Sequence, residues 1–380
     1  MASRLCYIAE WLDSTSGVVW KYQLFYYPET KEVEMVDIKN RKHFLKKIRP
    51  PPDFREELLY LNSTVTLYTR QLKLVAYGDE FTRSKMQARH ERTLAMVKPD
   101  AYKHLGKIIN GIQRSGFMIN NLRVCKLSKA EAQAFYEVHR GKPFYDTLTD
   151  FMSSGRICAM ELTGPNAIDS WRQLLGPTDS DVARQQAPNS IRASFGTNKT
   201  YNACHGSDAP DTAAQELAFF FGRPGSAAVG KCDLGGRGTT LGLVKPHVIM
   251  DCAAGLLLDC VMENFEITAM EMFKLDKSTA AEFYEVYKGV LSPGEFGAIT
   301  DELTSGPCIA FEVADRDGAD SVEPFRQLCG PLDPELARVL RPNSLRALFG
   351  LNKVKNGVHC TDLQVDGPLE VNYFFAILQS

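Results

Sequence analysis

The segment Asn202-Ala203-Cys204-His205-Gly206-Ser207-Asp208 places an imidazole between a side-chain amide and a carboxylate. A neutral imidazole, with a reference pKa of about 6.5, is a good nucleophile near neutral pH. Attack on phosphorus would give a phosphohistidine reactive enough to pass the group on. Transfer of a terminal phosphoryl group spreads charge over its oxygens, so a protein doing this chemistry mainly positions and neutralises. It needs a nucleophile, several cations or donors, and a surface that holds the base. A lone histidine is more often a satisfied core or surface side chain. Either Arg172 or Arg192 alone reads as a surface ion pair. Two arginines at this spacing favour an anion.

The elements that must position these groups occur twice. TLAMVKPDAYKHLGKIINGIQRSGFMI, from residue 93, is echoed by TLGLVKPHVIMDCAAGLLLDCVMENFEI, from residue 240. WRQLLGPTDSDVARQQAPNSIRASFG is echoed by FRQLCGPLDPELARVLRPNSLRALFG. The offset is 245 − 98 = 147 at the lysines, and 326 − 172 = 346 − 192 = 359 − 205 = 154 later. The drift of seven implies insertions in the first half of the second copy, in loops. Between the copies, RPGSAAVGKCDLGGRG (223–238) is rich in Gly, Ala and Ser without periodicity and reads as a linker.

Each copy has the same coarse pattern. An apolar strand runs to Val97 (Val244) and stops at Lys-Pro, and a helical stretch follows. A strand is expected over Phe117–Leu127 (Phe265–Leu275), then a helix capped by Ser128 with Glu131 three residues later, a capping box. The second copy has Ser278 at that place. Another strand, Ile157–Leu162 (Cys308–Val313), precedes another helix. A strand ending near Phe195, the histidine segment and a closing helix through residues 219–221 (373–375) complete the unit. Alternating strands and helices imply an α/β sandwich, one sheet with helices on a face.

The histidine segment resembles the N-x-x-H-G-S-D signature of the nucleoside diphosphate kinase family, over nearly all of 92–222 and less fully over 238–380. The matching Lys, Tyr, Phe, Arg, Thr and Glu positions come in the family's order. The resemblance implies two tandem ferredoxin-like α/β sandwich domains with antiparallel sheets. It makes His205 the nucleophile and Glu216 the acceptor that fixes its tautomer. Lys98 would contact the transferring phosphoryl group, and Tyr136 would hold the histidine and the γ-phosphate. Arg172 and Thr178 would bind the β-phosphate, Arg192 would bridge phosphates, and Asn202 would meet the ribose. Phe144 would stack on the base, and stacking tolerates any base. Lys142 stands where the family usually has arginine, which weakens β-phosphate contact. ATP and nucleoside diphosphates are the implied ligands, with Mg2+ bridging their phosphates. No carboxylate cluster reads as a direct metal site, and magnesium keeps waters and substrate oxygens.

The second copy keeps Lys245, Tyr284, Arg326, Arg346, Asn356, His359 and Glu370. It departs at Leu332, in place of the threonine, and at Pro293 and Glu295, where the basic residue and the aromatic belong. His359 is followed by Cys-Thr-Asp. The acid would repel polyphosphate and no ring remains for the base, so this copy is expected to be weak or inactive and to support the first. A pseudo-dimer of the two copies is one arrangement, and the sequence leaves it open.

The composition is that of a globular chain, 44% hydrophobic and 24% charged, with a net charge of −2 that argues against a general nucleic-acid binder. Ten cysteines lie outside any disulfide or zinc spacing and read as buried thiols. The N-terminus lacks a signal-peptide core, and no apolar run approaches the roughly 20 residues of a membrane span. A soluble protein of a reducing compartment, with no membrane partner, is expected.

Residues 1–90 differ from the repeat. LFYYPETKEVEMVDI (24–38) reads as two strands around a turn, and STVTLYTRQLKLVAYGD (63–79) is β-prone. Between them KNRKHFLKKIR (39–49) carries six cations and no acid. This small β-rich, PH-like module loosely resembles the DM-ten module of ciliary axoneme proteins, through Phe25-Tyr26-Tyr27, Glu32–Ile38 and the stretch ending at Pro50-Pro51-Pro52. The order of one such module and then two kinase-like domains (91–222 and 239–380) implies a cytoplasmic, cytoskeletal protein of the centrosome and the cilium or flagellum. Tubulin in microtubules or the γ-tubulin complex is the implied partner. A basic run can attract such acidic surfaces, although by composition alone it is a solvated loop. Nucleic acid lacks support, because no aromatics interleave the cations beyond Phe44. Two functions stay open: a kinase working through phospho-His205, or a mainly structural microtubule-associated component with weak or incidental activity.

Overall fold

The chain, described as a computed structural model, is covered except for residues 1–3, 14–15, 53, 61–62, 90, 223–229, 231, 233, 237 and 380. It divides into two units, Met1–Glu91 and Arg92–Ser380.

The first unit is a six-stranded antiparallel sheet in the order β4-β3-β2-β1-β6-β5. The strands are β1 (Leu5–Leu12), β2 (Val19–Tyr27), β3 (Glu32–Asp37), β4 (Lys42–Ile48), β5 (Thr64–Leu67) and β6 (Arg70–Tyr77), followed by α1 (Glu80–Arg89). In β3 Val33 and Met35 alternate inward, the period-2 pattern of a sheet with one face on a core. They join Tyr7, Leu24, Leu59, Leu72, Leu74 and Met86. The basic run is not a loop. Its centre is the strand β4, which pairs with β3 at the edge of the sheet. Lys47 sits 3.9 Å from the centre of the Tyr27 ring and 3.2 Å from Glu32, and His43 lies 3.0 Å from Glu34. Lysines along an edge also block pairing with another chain's strand.

The second unit joins both copies of the repeat. In the first copy come β7 (Glu91–Val97), α2 (Leu105–Arg114), β8 (Met118–Lys126), α3 (Lys129–Phe135), α4 (Tyr145–Ser153), β9 (Arg156–Gly164), α5 (Ala167–Leu175), α6 (Ser180–Gln186), α7 (Ile191–Phe195), β10 (Cys204–Gly206) and α8 (Pro210–Phe221). The second copy has β11 (Thr240–Val244), α9 (Pro246–Met250), α10 (Ala254–Asn264), β12 (Glu266–Phe273), α11 (Lys277–Phe283), α12 (Pro293–Leu303), β13 (Cys308–Ala314), α13 (Val322–Cys329), α14 (Pro334–Leu340), α15 (Leu345–Phe349), β14 (Val358–Cys360) and α16 (Gly367–Asn372).

All eight strands form one antiparallel sheet in the order β10-β7-β9-β8-β12-β13-β11-β14, which reads the same way from either end in terms of the two copies. The halves meet where β8 pairs with β12, Val124 opposite Met270 and Arg123 opposite Glu271. The copies therefore form the pseudo-dimer that the sequence left open. Helices α2 and α10 pack across the same junction with backbones in contact. A Cβ on Gly106 would fall 2.4 Å from the Asp259 nitrogen, and one on Gly255 would fall 2.2 Å from the Asn110 nitrogen. Only glycine allows that approach. The core under the junction draws Ile108, Ile112 and Trp171 from one copy and Leu257, Phe311 and Phe325 from the other.

Several local expectations are corrected. Helices cover both faces of the sheet, not one. Ala95 and Val97 face one core while Leu94 and Met96 face another with Tyr136, Leu148 and Leu217. A strand buried on both faces loses its polar alternation, as β7 does. The expected strand ending near Phe195 is the short helix α7, because Ser190 caps it by accepting from the Ala193 N–H. The cap of α11 is Asp276, which accepts from Thr279 N at 2.8 Å, while Ser278 donates to that same carboxylate. The inserted residues of the second copy do fall in loops, between Tyr287 and α12 and between β13 and α13. Part of the linker 223–238 lies outside the described residues. Its described members are tied down: Gly230 N–H donates to Glu131 and Gly235 N–H to Glu312, each at 2.9 Å.

Candidate active site

His205 sits on β10, whose pairing with β7 sets it opposite Met96. The tight backbone before it requires a left-handed Ala203 (φ 67°), whose N–H donates to Asp100 at 3.0 Å. Helix α8 brings Glu216 eleven residues later onto the ring, and His205 Nε2 lies 2.8 Å from Glu216 Oε1. A carboxylate only accepts, so Nε2 carries the proton and Nδ1 keeps the lone pair. Ser207 holds the other carboxylate oxygen at 2.6 Å and is itself bonded by Leu94 N–H at 3.2 Å. Trp171 Nε1 donates to the His205 carbonyl at 3.2 Å. Phe135 and Tyr136 present their rings edgewise at 5.5 and 6.2 Å. The imidazole is thus fixed at its backbone, its far nitrogen and two flanks, yet 22% of its side chain stays open to solvent.

Lys98, at the end of β7, is buried and donates to Asn202 Oδ1 at 2.7 Å. Burial pushes its pKa down to about 8, with Asp100 opposing and Arg192 reinforcing the drop. The Asn202 amide ties its loop to the segment after α5, donating to the Thr178 and Lys199 carbonyls at 2.9 and 3.0 Å. Arg192 donates to the carbonyls of Gly176 at 2.9 Å and Cys204 at 3.2 Å, and its Nε is buried without a partner. Burial lowers its pKa, and the nearby Arg172 adds to this. Crowded cations are the mark of an anion's place. The Tyr136 hydroxyl is buried and unpartnered, an orphan that a ligand oxygen could satisfy. Arg172 on α5 and Thr178 after it are solvent-exposed. Phe144, at the start of α4, is 45% exposed, with Lys142 Nζ 5.9 Å from its ring centre and His139 edge-on at 5.6 Å. Among the described residues no three His, Cys, Asp or Glu side chains converge as a metal site. An ion bridging phosphates would take its oxygens from nucleotide and water.

Sequence reasoning missed Ser207, Asp100, Phe135 and Trp171 as supports. Ser207 lay inside the quoted signature and carried a signal. The other three act through backbone contacts or packing that spacing does not reveal.

The second copy repeats the histidine geometry. His359 Nε2 lies 2.9 Å from Glu370, which Thr361 also bonds at 2.8 Å. Its surroundings are closed, and only 7% of the His359 side chain is exposed. Arg326 donates to the Asp362 carbonyl at 2.9 Å and to its carboxylate, and Tyr287 donates to the same carboxylate at 2.6 Å. Arg346 bonds Val358, Gly330 and the Cys360 sulfur. Lys245 donates to Val354 O at 2.9 Å, and burial pushes its pKa down to about 7. The Asn356 Oδ1 is left buried and unpartnered, unlike its counterpart Asn202. Tyr284 is buried edge-on to His359 at 6.1 Å. Glu295 has a structural task that the sequence reading did not assign. With Ser292 it forms a capping box on α12, whose first residue is Pro293. Leu332 lies exposed where Thr178 stands in the first copy.

The nucleoside diphosphate kinase family matches the chain twice, over residues 91–224 and 238–379. Nucleoside diphosphate kinase homolog 7 of Rattus norvegicus is 45% identical over 381 residues, covering 100% of this chain and 94% of that protein. The protein of the same name from Mus musculus is 44% identical with the same coverage. Nucleoside diphosphate kinase of Aquifex aeolicus is 49% identical over 133 residues, 34% of this chain and 94% of its own length.

Proposed function

This chain belongs to the nucleoside diphosphate kinase family, and from that premise we propose that the first copy, 91–222, moves the γ-phosphate of ATP to nucleoside diphosphates by a ping-pong route through His205. The observation that carries this reading is the 2.8 Å contact of Glu216 with Nε2, which leaves Nδ1 as the nucleophile. Nδ1 bonds to the γ-phosphorus as the bond from phosphorus to the β-phosphate oxygen breaks, and ADP leaves. A terminal oxygen of the acceptor diphosphate then takes the phosphoryl group, the P–N bond breaks, and the neutral ring returns. Lys98, Arg172, Thr178 and Arg192 neutralise and hold the phosphates, Tyr136 donates to a γ-oxygen, and Phe144 offers a face for the base. Mg2+, brought with the nucleotide, would offset phosphate charge, and no side chain is assigned to it.

The second copy is proposed to bind nucleotide weakly or not at all. Support comes from the occupied guanidinium of Arg326, the enclosed His359 and the loss of both the aromatic and the threonine. Incubation of the full chain with γ-labelled ATP tests both halves of the reading. An acid-labile, alkali-stable label should vanish in His205→Ala and persist in His359→Ala. A label that survives His205→Ala at full level would overturn the assignment.

We also propose a cytoskeletal setting, at microtubules of the centrosome or the ciliary axoneme. The DM-ten resemblance and the exposed cations of β4 support it. Full-length protein should pellet with microtubules at low salt and release as salt rises. No co-sedimentation at low salt would count against direct binding. The closed second site favours one alternative, a largely architectural protein with minor kinase activity.

A further inference from the structure

Beside the loop of Asn202, the first copy has an open cleft of about 570 Å³, a size that suits a small ligand. None of the side chains proposed to hold nucleotide lines it. Its walls come from α4, from Pro99 and Asp100 after Lys98, and from Tyr201. Phe151 and Tyr201 meet edge-on at 4.3 Å and, with Pro99, form the apolar part of the lining. The polar part offers acceptors. Asp100 takes the Ala203 N–H on Oδ2, and its Oδ1 has no partner among the described residues. Asp150 gives one oxygen to Lys129, yet 71% of its side chain stays in solvent. Ser154 spends its O–H on the Phe151 carbonyl at 2.7 Å, so its oxygen can only accept. Among the described residues no Lys, Arg or His lines the cleft.

The second copy shows a cation at the equivalent positions. His247 stands at the place of Asp100 (247 − 100 = 147) and Lys355 at that of Tyr201 (355 − 201 = 154). Thr300-Asp301 and Ser305-Gly306 match Thr149-Asp150 and Ser154-Gly155, which sets Glu302 at the place of Phe151. There Lys355 Nζ lies 3.8 Å from Glu302 Oε2, and His247 Nδ1 lies 2.6 Å from Oε1. An ammonium and a carboxylate thus meet within the chain. The first copy keeps an acid, at residue 100, and lacks that lysine. Carboxylates beside aromatic rings favour a cation that can donate: the acids take its N–H groups, and the rings attract its charge. An anion would be repelled. We infer that this cleft binds a primary ammonium on an aliphatic stem, either a free alkyl diamine or a lysine side chain presented by another protein. The ammonium lies by the acids and Ser154, and the stem packs on Pro99, Phe151 and Tyr201. Neither nucleotide nor phosphoryl transfer enters this inference.

Calorimetric titration of the full chain with 1,4-diaminobutane, and separately with a capped peptide holding one lysine, provides the test. At least one should bind saturably at low salt. Binding of the diamine assigns a free amine, and binding of the peptide alone assigns a lysine. The alcohol 1-butanol, which keeps the stem without the charge, should not bind. Asp100→Asn should weaken amine binding severalfold, because a charged acceptor is lost. Thr147→Lys lies at an exposed position of α4 on the cleft wall and supplies an ammonium of the chain's own. It should also weaken binding severalfold, with Tm unchanged. No saturable heat with either amine would overturn the proposal. So would 1-butanol binding as well as the diamine, or full-strength amine binding in either variant. The comparison of diamine with alcohol uses the unsubstituted chain and is independent of whether a variant folds.

Discussion

In the second copy the carboxylate of Asp362 is gripped from two sides, by Arg326 and by the Tyr287 hydroxyl at 2.6 Å. Asp362 corresponds to Asp208 and Arg326 to Arg172, both shared between the copies, but Tyr287 replaces His139. The tyrosine donor orients the acid onto the arginine. Removing that donor in Tyr287→Phe, or the charge in Asp362→Asn, should free Arg326 for phosphate. In a His205→Ala background, ADP affinity measured by calorimetry should rise severalfold in Asp362→Asn. Unchanged affinity would mean that the missing aromatic and threonine alone close the site.

Glu216 sets which nitrogen of His205 is nucleophilic. In Glu216→Gln the amide can donate to Nε2 and so favour the proton on Nδ1, the wrong tautomer. The loss of kcat should be on the order of 10²-fold, with KM for ATP little changed because phosphate contacts remain. An equal rise in KM would assign Glu216 to nucleotide binding instead.

Lys98 gives a pH dependence. Its pKa is depressed to about 8 by burial, so in the free protein the charge is present below that value and lost above it. The kcat/KM for ATP, which reports the free enzyme, should fall as pH rises through about 8. Lys98→Arg, whose charge persists, should flatten that limb while lowering the rate. The sign for stability is opposite. Neutral Lys98 contributes fully above the ordinary value of 10.5, and the contribution is lost as pH falls through about 8. Lys98→Met should therefore raise Tm at pH 7 while abolishing phosphorylation. A lower Tm would show that the bond to Asn202 outweighs the cost of burying the charge.

The joint between copies rests on glycine. Gly255→Leu would push a side chain into the Asn110 backbone, and overpacking of this kind costs about 1–3 kcal/mol or more. Chemical denaturation should show a lower midpoint. A wild-type midpoint would mean that α2 and α10 can separate without loss.

The residues proposed for the site were legible through the family signature around His205, because phosphoryl transfer needs particular side chains in a fixed order. His205, Glu216, Lys98 and Arg192 were named through the resemblance of the histidine segment to a family signature, and the fold brings Glu216 onto the His205 ring and Lys98 onto Asn202. Apolar strands ending at Val97 and Val244 were likewise legible, since a run without polar residues has few other homes. What resisted reading was competition between near-equal local choices. Asp276 and Ser278 can both cap a helix, and only the approach of Thr279 decided between them. The basic run of residues 42–48 has no outward sign of a strand until β3 supplies its hydrogen bonds.

The sequence by itself determined a duplicated unit, one copy with the full set of side chains proposed to handle phosphate, and one copy with named losses. The tertiary structure decided how the two sets differ in use. The same histidine–glutamate pair is open in one copy and enclosed in the other, because partners such as Tyr287 and Asp362 lie 75 residues apart in the chain. It also decided that the copies share one sheet. Such contacts depend on backbones meeting at van der Waals distance, as at Gly106 and Gly255. Closeness of that kind follows from packing two folded halves together and is not written in the spacing of either one.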